Sequence, residues 1–208
     1  MARTVATSPC FTPGTRIATA RGWTPIEQIR HGDRVLTADN GLRPVVWIGR
    51  RHLTRAEIAT SDELRPILIR AGALADGRPE RDMIVSPKHR FMVRRANAHG
   101  VWDEVLMPAD KLIDHRGIKP VDALGVTYIH LLCEHHQVLL ADGAWAESFR
   151  PDGSTWQKIG NAQRLEIEAL FPQARHGGLE RLADPARPLD DRPLYKQRMD
   201  RLRRGSPV

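Results

Sequence analysis

Residues 10–37, CFTPGTRIATARGWTPIEQIRHGDRVLT, carry the clearest structural pattern in the chain. Within this stretch, residues 16–20 and 23–26 form two short runs on either side of Gly22. Short runs separated by glycine turns are typical of β-strands joined into hairpins. The stretch opens on Cys10, one of 2 cysteines in the chain, so a thiol stands at the first residue of the predicted β unit.

The same pattern continues to about residue 150. Turn pairs such as Asp142-Gly143 alternate with short apolar runs, and this regular spacing predicts an all-β domain. The predicted strands are residues 16–20, 23–26, 35–38, 45–48, 67–69, 83–85, 91–94, 105–107, 128–132, 138–140 and 144–146.

The character of the chain then changes, and an α-helical basic tail is predicted. Residues 163–171 and 194–204 carry apolar residues at helical spacing, and proline or glycine follows each of them. Residues 185–193, which contain several prolines, predict a linker between the two helices. The expected domains are a short upstream segment (1–9), a β domain (10–150) and a basic helical tail or linker (151–208).

The composition argues against several partners. The net charge is +7, but aromatic residues make up only 5% and are scattered, so no nucleic-acid partner is predicted. No apolar run approaches the roughly 20 residues that span a bilayer, which predicts no membrane partner. The first residues lack a secretory signal, and 2 cysteines do not make a disulfide framework, so a cytoplasmic location is the default expectation. The oligomeric state is left open.

Cys10 is the candidate nucleophile, because a thiol is the strongest ordinary side-chain nucleophile near neutral pH. Its position directly after Pro9 makes the peptide bond between these two residues the natural target. Attack on this bond needs a stabilised oxyanion and a proton for the departing nitrogen. His89 is suited to supply that proton, and Ser86 can donate a hydrogen bond to the reacting amide. The rigid ring of Pro9 is expected to hinder the attack.

Three blocks of sequence resemble those of a known family. Residues 10–37 resemble the opening block of Hint domains, the self-processing module shared by hedgehog proteins and inteins. The segment VSPKHRFMV (85–93) resembles the T-x-x-H block of the family, with Ser86 at the threonine position. The segment HHQVLLADGAWAESF (135–149) resembles the closing block. The resemblance is to the bacterial hedgehog/intein-type domains, and it covers residues 10 to about 150.

This resemblance implies a horseshoe-shaped, pseudo-symmetric β fold with Cys10, Ser86 and His89 at its centre. It also implies an N-to-S acyl shift that makes a thioester, with the chain's own N-terminal flanking segment as the substrate. His136, near the start of the closing block, is expected to be a supporting acid/base group. No cofactor is expected to take part.

The closing block departs from that of an intein, which ends in His-Asn followed by a nucleophilic residue. The corresponding corner here contains Glu147 and Ser148. Neither side chain can cyclise as asparagine does, so splicing is not expected. No residue matches the sterol activation of hedgehog proteins, so water or a small nucleophile is the expected acceptor.

Two other functions stay open on the sequence alone. A catalytically degenerate Hint fold could serve as an interaction or recognition module, with the tail as its docking element. A cysteine hydrolase that acts in trans is less favoured, because the candidate residues cluster around the chain's own N-terminal side. In addition, no substrate groove can be identified from the sequence.

A metal centre is not predicted, although one region has the composition of a zinc site, namely His130, Cys133, His135 and His136. Side chains on a strand point alternately to its two faces, so these groups do not converge. Their spacing also matches no familiar zinc pattern. Cys133 is instead expected to lie in the core.

Overall fold

The computed structural model describes residues 8–97, 99–171 and 180–193, and β-strands dominate them. The strands are β1 (Arg16–Thr19), β2 (Gly22–Pro25), β3 (Arg34–Thr37), β4 (Gly41–Thr54), β5 (Ile67–Ile69), β6 (Met83–Val85), β7 (Arg90–Ala96), β8 (Trp102–Pro108), β9 (Ile118–Pro120), β10 (Gly125–Cys133), β11 (Val138–Ala141) and β12 (Ala144–Glu147). The α-helices are α1 (Arg55–Ile58), α2 (Ala109–Leu112), α3 (Gly153–Lys158), α4 (Asn161–Leu170) and α5 (Glu180–Ala183).

Strand pairing forms two antiparallel sheets. The larger sheet has the order β10-β4-β3-β1-β11-β12-β7-β8, with β2 beside β1, and the smaller sheet has the order β6-β5-β9. The long strand β4 pairs first with β3 and then with β10. Because one strand serves both pairings, it carries the curved sheet from one half of the fold to the other. The all-β prediction is confirmed.

Left-handed turn residues set two of the hairpins. Gly22, with φ 93°, reverses the chain between β1 and β2, and Asp142 (φ 44°) with Gly143 (φ 81°) does so between β11 and β12. Tight hairpins favour glycine and aspartate at such positions, since these residues tolerate a positive φ. The Asp142 carboxylate also accepts a hydrogen bond of 3.1 Å from the backbone N–H of Arg16, which ties the second turn to β1.

The main core lies where the inner faces of the two sheets meet. Apolar side chains from both sheets fill it, and each that is fully buried stabilises the fold by roughly 1.5–3 kcal/mol. They include Phe11, Ile17, Val35, Ile67, Val85, Phe91, Met107, Ile129 and Leu139. Cys133 belongs to the same cluster with 1% of its surface exposed, as the sequence predicts.

Helices α3 and α4 cover one end of the β-structure. Ile159 and Ile167 pack with the buried side chains of Trp47, Leu132 and Phe149. The Trp47 indole N–H donates a 2.8 Å hydrogen bond to Glu166 on α4. The helix predicted at residues 163–171 is therefore confirmed, and it begins slightly earlier. The helix predicted at residues 194–204 lies outside the described residues.

Residues 184–193, which we call the C-terminal strap, run along the edge strand β8. The backbone N–H of Leu106 donates to Pro188 O at 2.8 Å, and that of Asp190 donates to Leu106 O at 3.0 Å. The Asp190 carboxylate lies 3.0 Å from the Arg95 guanidinium, and both side chains are 6% exposed. The segment predicted as a linker therefore pairs with β8 at Leu106 through these two backbone hydrogen bonds.

The predicted strands differ from the observed ones at β9 and at β4. No strand is predicted at β9, which has three residues, one of them a proline, and is defined by its pairing with β5. The run predicted at residues 45–48 is part of a strand of 14 residues. Among the described residues, none of the helices has the length and apolar character that crossing a membrane requires.

Candidate functional site

Strand register brings the site together around Phe11. The backbone of Phe11 pairs with Ile129 on β10 and also with Val85 at the end of β6. Its N–H donates to Ile129 O at 3.0 Å, and Ile129 N–H donates back to Phe11 O at 2.9 Å. Cys10, one residue earlier, is thereby placed between the residues that follow Val85 and Ile129, which are Ser86 and His130.

Cys10 is held by backbone and side-chain contacts in a closed environment. Its side chain is 3% exposed. Its N–H donates to Ser86 Oγ at 3.0 Å, and its thiol donates to the carbonyl of Ser8 at 2.9 Å. Burial raises the pKa of the thiol to about 12, against the opposing effect of the hydrogen bonds with Ser86 and Ser8. The resting group is therefore a thiol and needs a base before it can attack.

Ser86 lies at the centre of a compact turn and is fully buried. Its hydroxyl accepts the Cys10 N–H and donates to Ser8 O at 2.9 Å. Its backbone N–H donates to Cys10 O at 3.0 Å, and His89 N–H donates to Ser86 O at 3.0 Å. The serine thus touches the nitrogen of the Pro9–Cys10 bond but not the oxygen.

The carbonyl oxygen of Pro9 contacts His130, a residue that the sequence analysis did not assign to the site. His130 Nδ1 lies 2.8 Å from Pro9 O. A carbonyl can only accept, so Nδ1 carries the hydrogen and donates it. Burial lowers the pKa of His130 to about 4, although the hydrogen bond to Pro9 acts to raise it. The ring is therefore neutral near pH 7, and Nε2 is its accepting nitrogen.

His130 also lies against the thiol. Its two ring nitrogens are 3.5 Å and 3.6 Å from Cys10 Sγ. One imidazole therefore touches both atoms that matter for attack on the Pro9 carbonyl, namely the sulfur and the carbonyl oxygen. Such a group combines a base for the thiol with a donor for the developing oxyanion.

Aromatic side chains fix the orientation of His130. The Trp47 ring stacks on it with centroids 6.2 Å apart, and Phe149 meets it edge-on at 4.9 Å. Gly49 lies opposite His130 in the strand register. A Cβ at Gly49 would come within 2.2 Å of the Trp47 ring, so only glycine leaves room for this arrangement.

His89 lies near these groups but makes no side-chain hydrogen bond within the part of the chain that the structure describes. Both of its ring nitrogens are buried and unpartnered there. The ring packs on Phe11 with centroids 4.1 Å apart. Burial lowers the pKa of His89 to about 3, and the nearby His130 and His136 add to this effect. A buried polar group without a partner is costly, so its presence calls for a reason.

His136 is held between the closing block and the C-terminal strap. Its Nε2 lies 3.3 Å from Glu147 Oε2, and its Nδ1 accepts the backbone N–H of Ala186 at 3.0 Å. The other oxygen of Glu147 accepts the Arg90 backbone N–H at 2.9 Å. His136 thus lies beside the site, and its contacts go to the strap and Glu147 rather than to Cys10.

The structure therefore brings Ser86 into contact with Cys10 and places His89 and His136 nearby. The residue that the sequence analysis missed is His130. One signal was available, since His130 interrupts the apolar side chains of Ile129, Leu131 and Leu132. A polar group inside a buried strand needs a partner, and Pro9 O is that partner.

A resident metal finds no ligand set in the described ranges. No three His, Cys, Asp or Glu side chains converge there as metal ligands would. The groups in the site are instead suited to acyl transfer: a thiol, a neutral imidazole on the sulfur and the carbonyl oxygen, and a hydroxyl on the amide nitrogen.

Comparison with known proteins identifies a family and several similar folds. The family described as Hint domain matches residues 9–153. The fold is similar to the gp41-1 intein (15% identity, 67% of this chain and 98% of that chain, TM-score 0.40). It is also similar to a bacterial intein-like domain from Clostridium thermocellum (16%, 70% and 100%, TM-score 0.45) and a DnaB intein from Synechocystis sp. PCC 6803 (13%, 68% and 99%, TM-score 0.42). No curated protein matches the sequence.

Proposed function

The chain belongs to the Hint domain family of self-processing domains, and we propose that it cleaves the peptide bond between Pro9 and Cys10 through a thioester. The observation that carries this proposal is the pair of contacts made by one ring. His130 Nδ1 lies 2.8 Å from Pro9 O, and Nε2, the nitrogen without a hydrogen, lies 3.6 Å from Cys10 Sγ. A donor on the carbonyl oxygen and a base beside the thiol are the two requirements for attack.

The first step is an N-to-S acyl shift. Cys10 Sγ forms a bond to the carbonyl carbon of Pro9, and the bond from that carbon to the Cys10 nitrogen breaks. The thiol proton passes to Nε2 of His130, while Nδ1–H stabilises the negative oxygen. Because the ring gains positive charge as the oxygen becomes negative, one residue serves both needs.

The departing nitrogen must gain a proton for the step to balance. We assign its delivery to His89, whose unpartnered ring nitrogens support the role. A neutral imidazole carries one N–H, so it can give this proton and recover one from the imidazolium of His130. The net change is one proton moved from sulfur to nitrogen. Ser86 holds the amide nitrogen in place through its 3.0 Å hydrogen bond.

His136 is assigned a supporting part. Its proximity contributes to the low pKa that keeps His89 neutral. Its contacts with Glu147 and Ala186 support a second duty, which is to hold the strap against the closing block. We further propose that residues 10–150 form the processing unit, residues 1–9 belong to its substrate, and residues 151–208 are an appended tail.

The thioester is proposed to end in hydrolysis or in transfer to a small nucleophile, without splicing. Glu147 and Ser148 support this outcome, because neither can cyclise. Both side chains are also engaged: Glu147 accepts the Arg90 N–H, and Ser148 Oγ accepts the Gln137 N–H at 2.9 Å.

The deciding experiment is intact mass spectrometry of the protein with a folded partner fused upstream. Dithiothreitol or hydroxylamine should release a fragment that ends at Pro9, because either reagent intercepts a thioester. Cys10→Ala should abolish the release, whereas Cys133→Ala, the matched control on the other cysteine, should keep it. If wild type and Cys10→Ala stay equally intact, the chain is a degenerate Hint fold that serves as an interaction module.

A further inference from the structure

Residue 8 is enclosed by the domain although it lies on the substrate side of the proposed bond. Ser8 is 7% exposed, and Pro9 after it is also buried. The carbonyl of Ser8 accepts two hydrogen bonds, from Ser86 Oγ at 2.9 Å and from Cys10 Sγ at 2.9 Å. The same two side chains that act on the Pro9–Cys10 bond therefore also hold the residue two positions upstream of the nucleophile.

The side chain of Ser8 has its own partner. Its Oγ lies 3.5 Å from Nε2 of His130. Nδ1 of that ring donates to Pro9 O, and the neutral ring has no second hydrogen, so Nε2 accepts and the Ser8 hydroxyl donates. The hydroxyl thus holds the ring from the side opposite to its contact with the carbonyl.

We propose that residue 8 is a specificity-determining position, and that the domain cleaves upstream segments that carry a small hydroxyl side chain there. This inference rests on the proposed cleavage between Pro9 and Cys10. A side chain much larger than serine or threonine, such as leucine, does not fit the closed surroundings of Ser8 and must move the backbone outward. That movement breaks both hydrogen bonds to the Ser8 carbonyl and turns the Pro9 carbonyl away from His130. Rejection by steric conflict is a common source of specificity.

Size and hydrogen bonding can be tested separately. Ser8→Leu tests size, and Ala56→Leu, on the exposed face of α1, is the control for added bulk. Ser8→Thr and Ser8→Val form a pair of nearly equal volume that differs in the hydroxyl. Melting temperatures identify any variant that has lost its fold.

Two measurements are made on each variant. The first is the rate of thiol-induced cleavage. The second is the rate at which iodoacetamide alkylates Cys10, located by peptide mass spectrometry, which reports whether residues 8 and 9 still cover the thiol. The second measurement does not require cleavage, so it decides the enclosure of residue 8 even if the wild-type chain proves inactive.

We expect Ser8→Leu to cleave at least about 100-fold more slowly than wild type and to alkylate at least about tenfold faster. Ser8→Thr should stay within about threefold of wild type in both rates, and Ser8→Val should cleave about tenfold more slowly than Ser8→Thr. Ala56→Leu should match wild type. If Ser8→Leu does not fold, the Thr/Val pair decides.

The inference is overturned if Ser8→Leu is cleaved and alkylated as wild type is, since position 8 would then select nothing. Slow cleavage of Ser8→Leu with Cys10 still protected also overturns it, because the leucine would then fit. Equal cleavage of the Thr and Val variants overturns the role of the hydroxyl. A wild-type chain that does not cleave, but whose Cys10 is exposed by Ser8→Leu, refutes the proposed function and leaves the enclosure of residue 8 established.

Discussion

His130 Nδ1 lies 2.8 Å from the carbonyl oxygen of Pro9, and the residues on either side of it in the strand, Ile129 and Leu131, are apolar. The ring is kept neutral by burial, which lowers its pKa to about 4, and it packs against Trp47 and Phe149. A fixed donor in a dry site stabilises a developing negative charge far better than water would. Because of this contact, we expect cleavage to depend on His130.

Replacing His130 should stop cleavage. Removing one oxyanion donor costs about 10²–10³ in rate, and removing a base costs about 10²–10⁴. His130→Ala should therefore lose at least about 10³-fold in the rate of thiol-induced cleavage, followed by gel or intact mass. His135→Ala is the matched control, because His135 is exposed on the same segment and should cleave at the wild-type rate. An active His130→Ala variant would refute the assignment.

Replacing His89 tests the delivery of the second proton. His89→Ala should slow thiol-induced cleavage by about 10²–10⁴-fold, the usual contribution of a general acid. The side chain is buried and makes no side-chain hydrogen bond among the described residues, so its replacement breaks no hydrogen bond, and the melting temperature reports only the lost packing against Phe11. Cleavage of His89→Ala at the wild-type rate would move the proton donor to another residue, with His136 the first to test.

No splicing should occur when both flanks of the domain are fused to folded partners. The resemblance of the closing block to that of an intein aligns Glu147 and Ser148 with the intein His-Asn pair, and neither side chain cyclises as asparagine does. Mass spectrometry of the reaction should find the upstream fragment but no ligated partners and no release after Ser148. Cys10→Ala in the same fusion gives the background, and a ligated product would overturn the prediction.

Acid should destabilise the fold well above the pH at which carboxylates titrate. The pKa of His130 is about 4 in the folded chain and about 6.5 in the unfolded one, so the unfolded state binds the proton first as the pH falls. The free energy of unfolding therefore declines between about pH 6.5 and pH 4, by roughly 3 kcal/mol from this residue. Urea titrations of wild type and His130→Gln should show a flatter decline in the variant. Identical slopes would mean that His130 titrates normally.

Much of the fold could be read from short motifs. The turn residues Gly22 and Asp142-Gly143 predict hairpins because their conformational preference is local, and the structure has a hairpin at each. Contacts that depend on distant partners could not be predicted in this way. β9 has three residues and is defined by its hydrogen bonds with β5, and the pairing of the strap with β8 depends on Leu106, about 80 residues earlier in the chain.

Blocks of neighbouring residues are enough to predict the all-β class, the family likeness, and Cys10, Ser86 and His89 as candidates. The contacts of the Pro9–Cys10 bond, in contrast, depend on residues that are far apart in the chain. Phe11 pairs with both Ile129 and Val85, and this double pairing brings His130 and Ser86 to Cys10 from positions 120 and 76 residues away. Such contacts depend on strand register and on the space left by Gly49 for Trp47, and neither is a property of any short stretch of sequence.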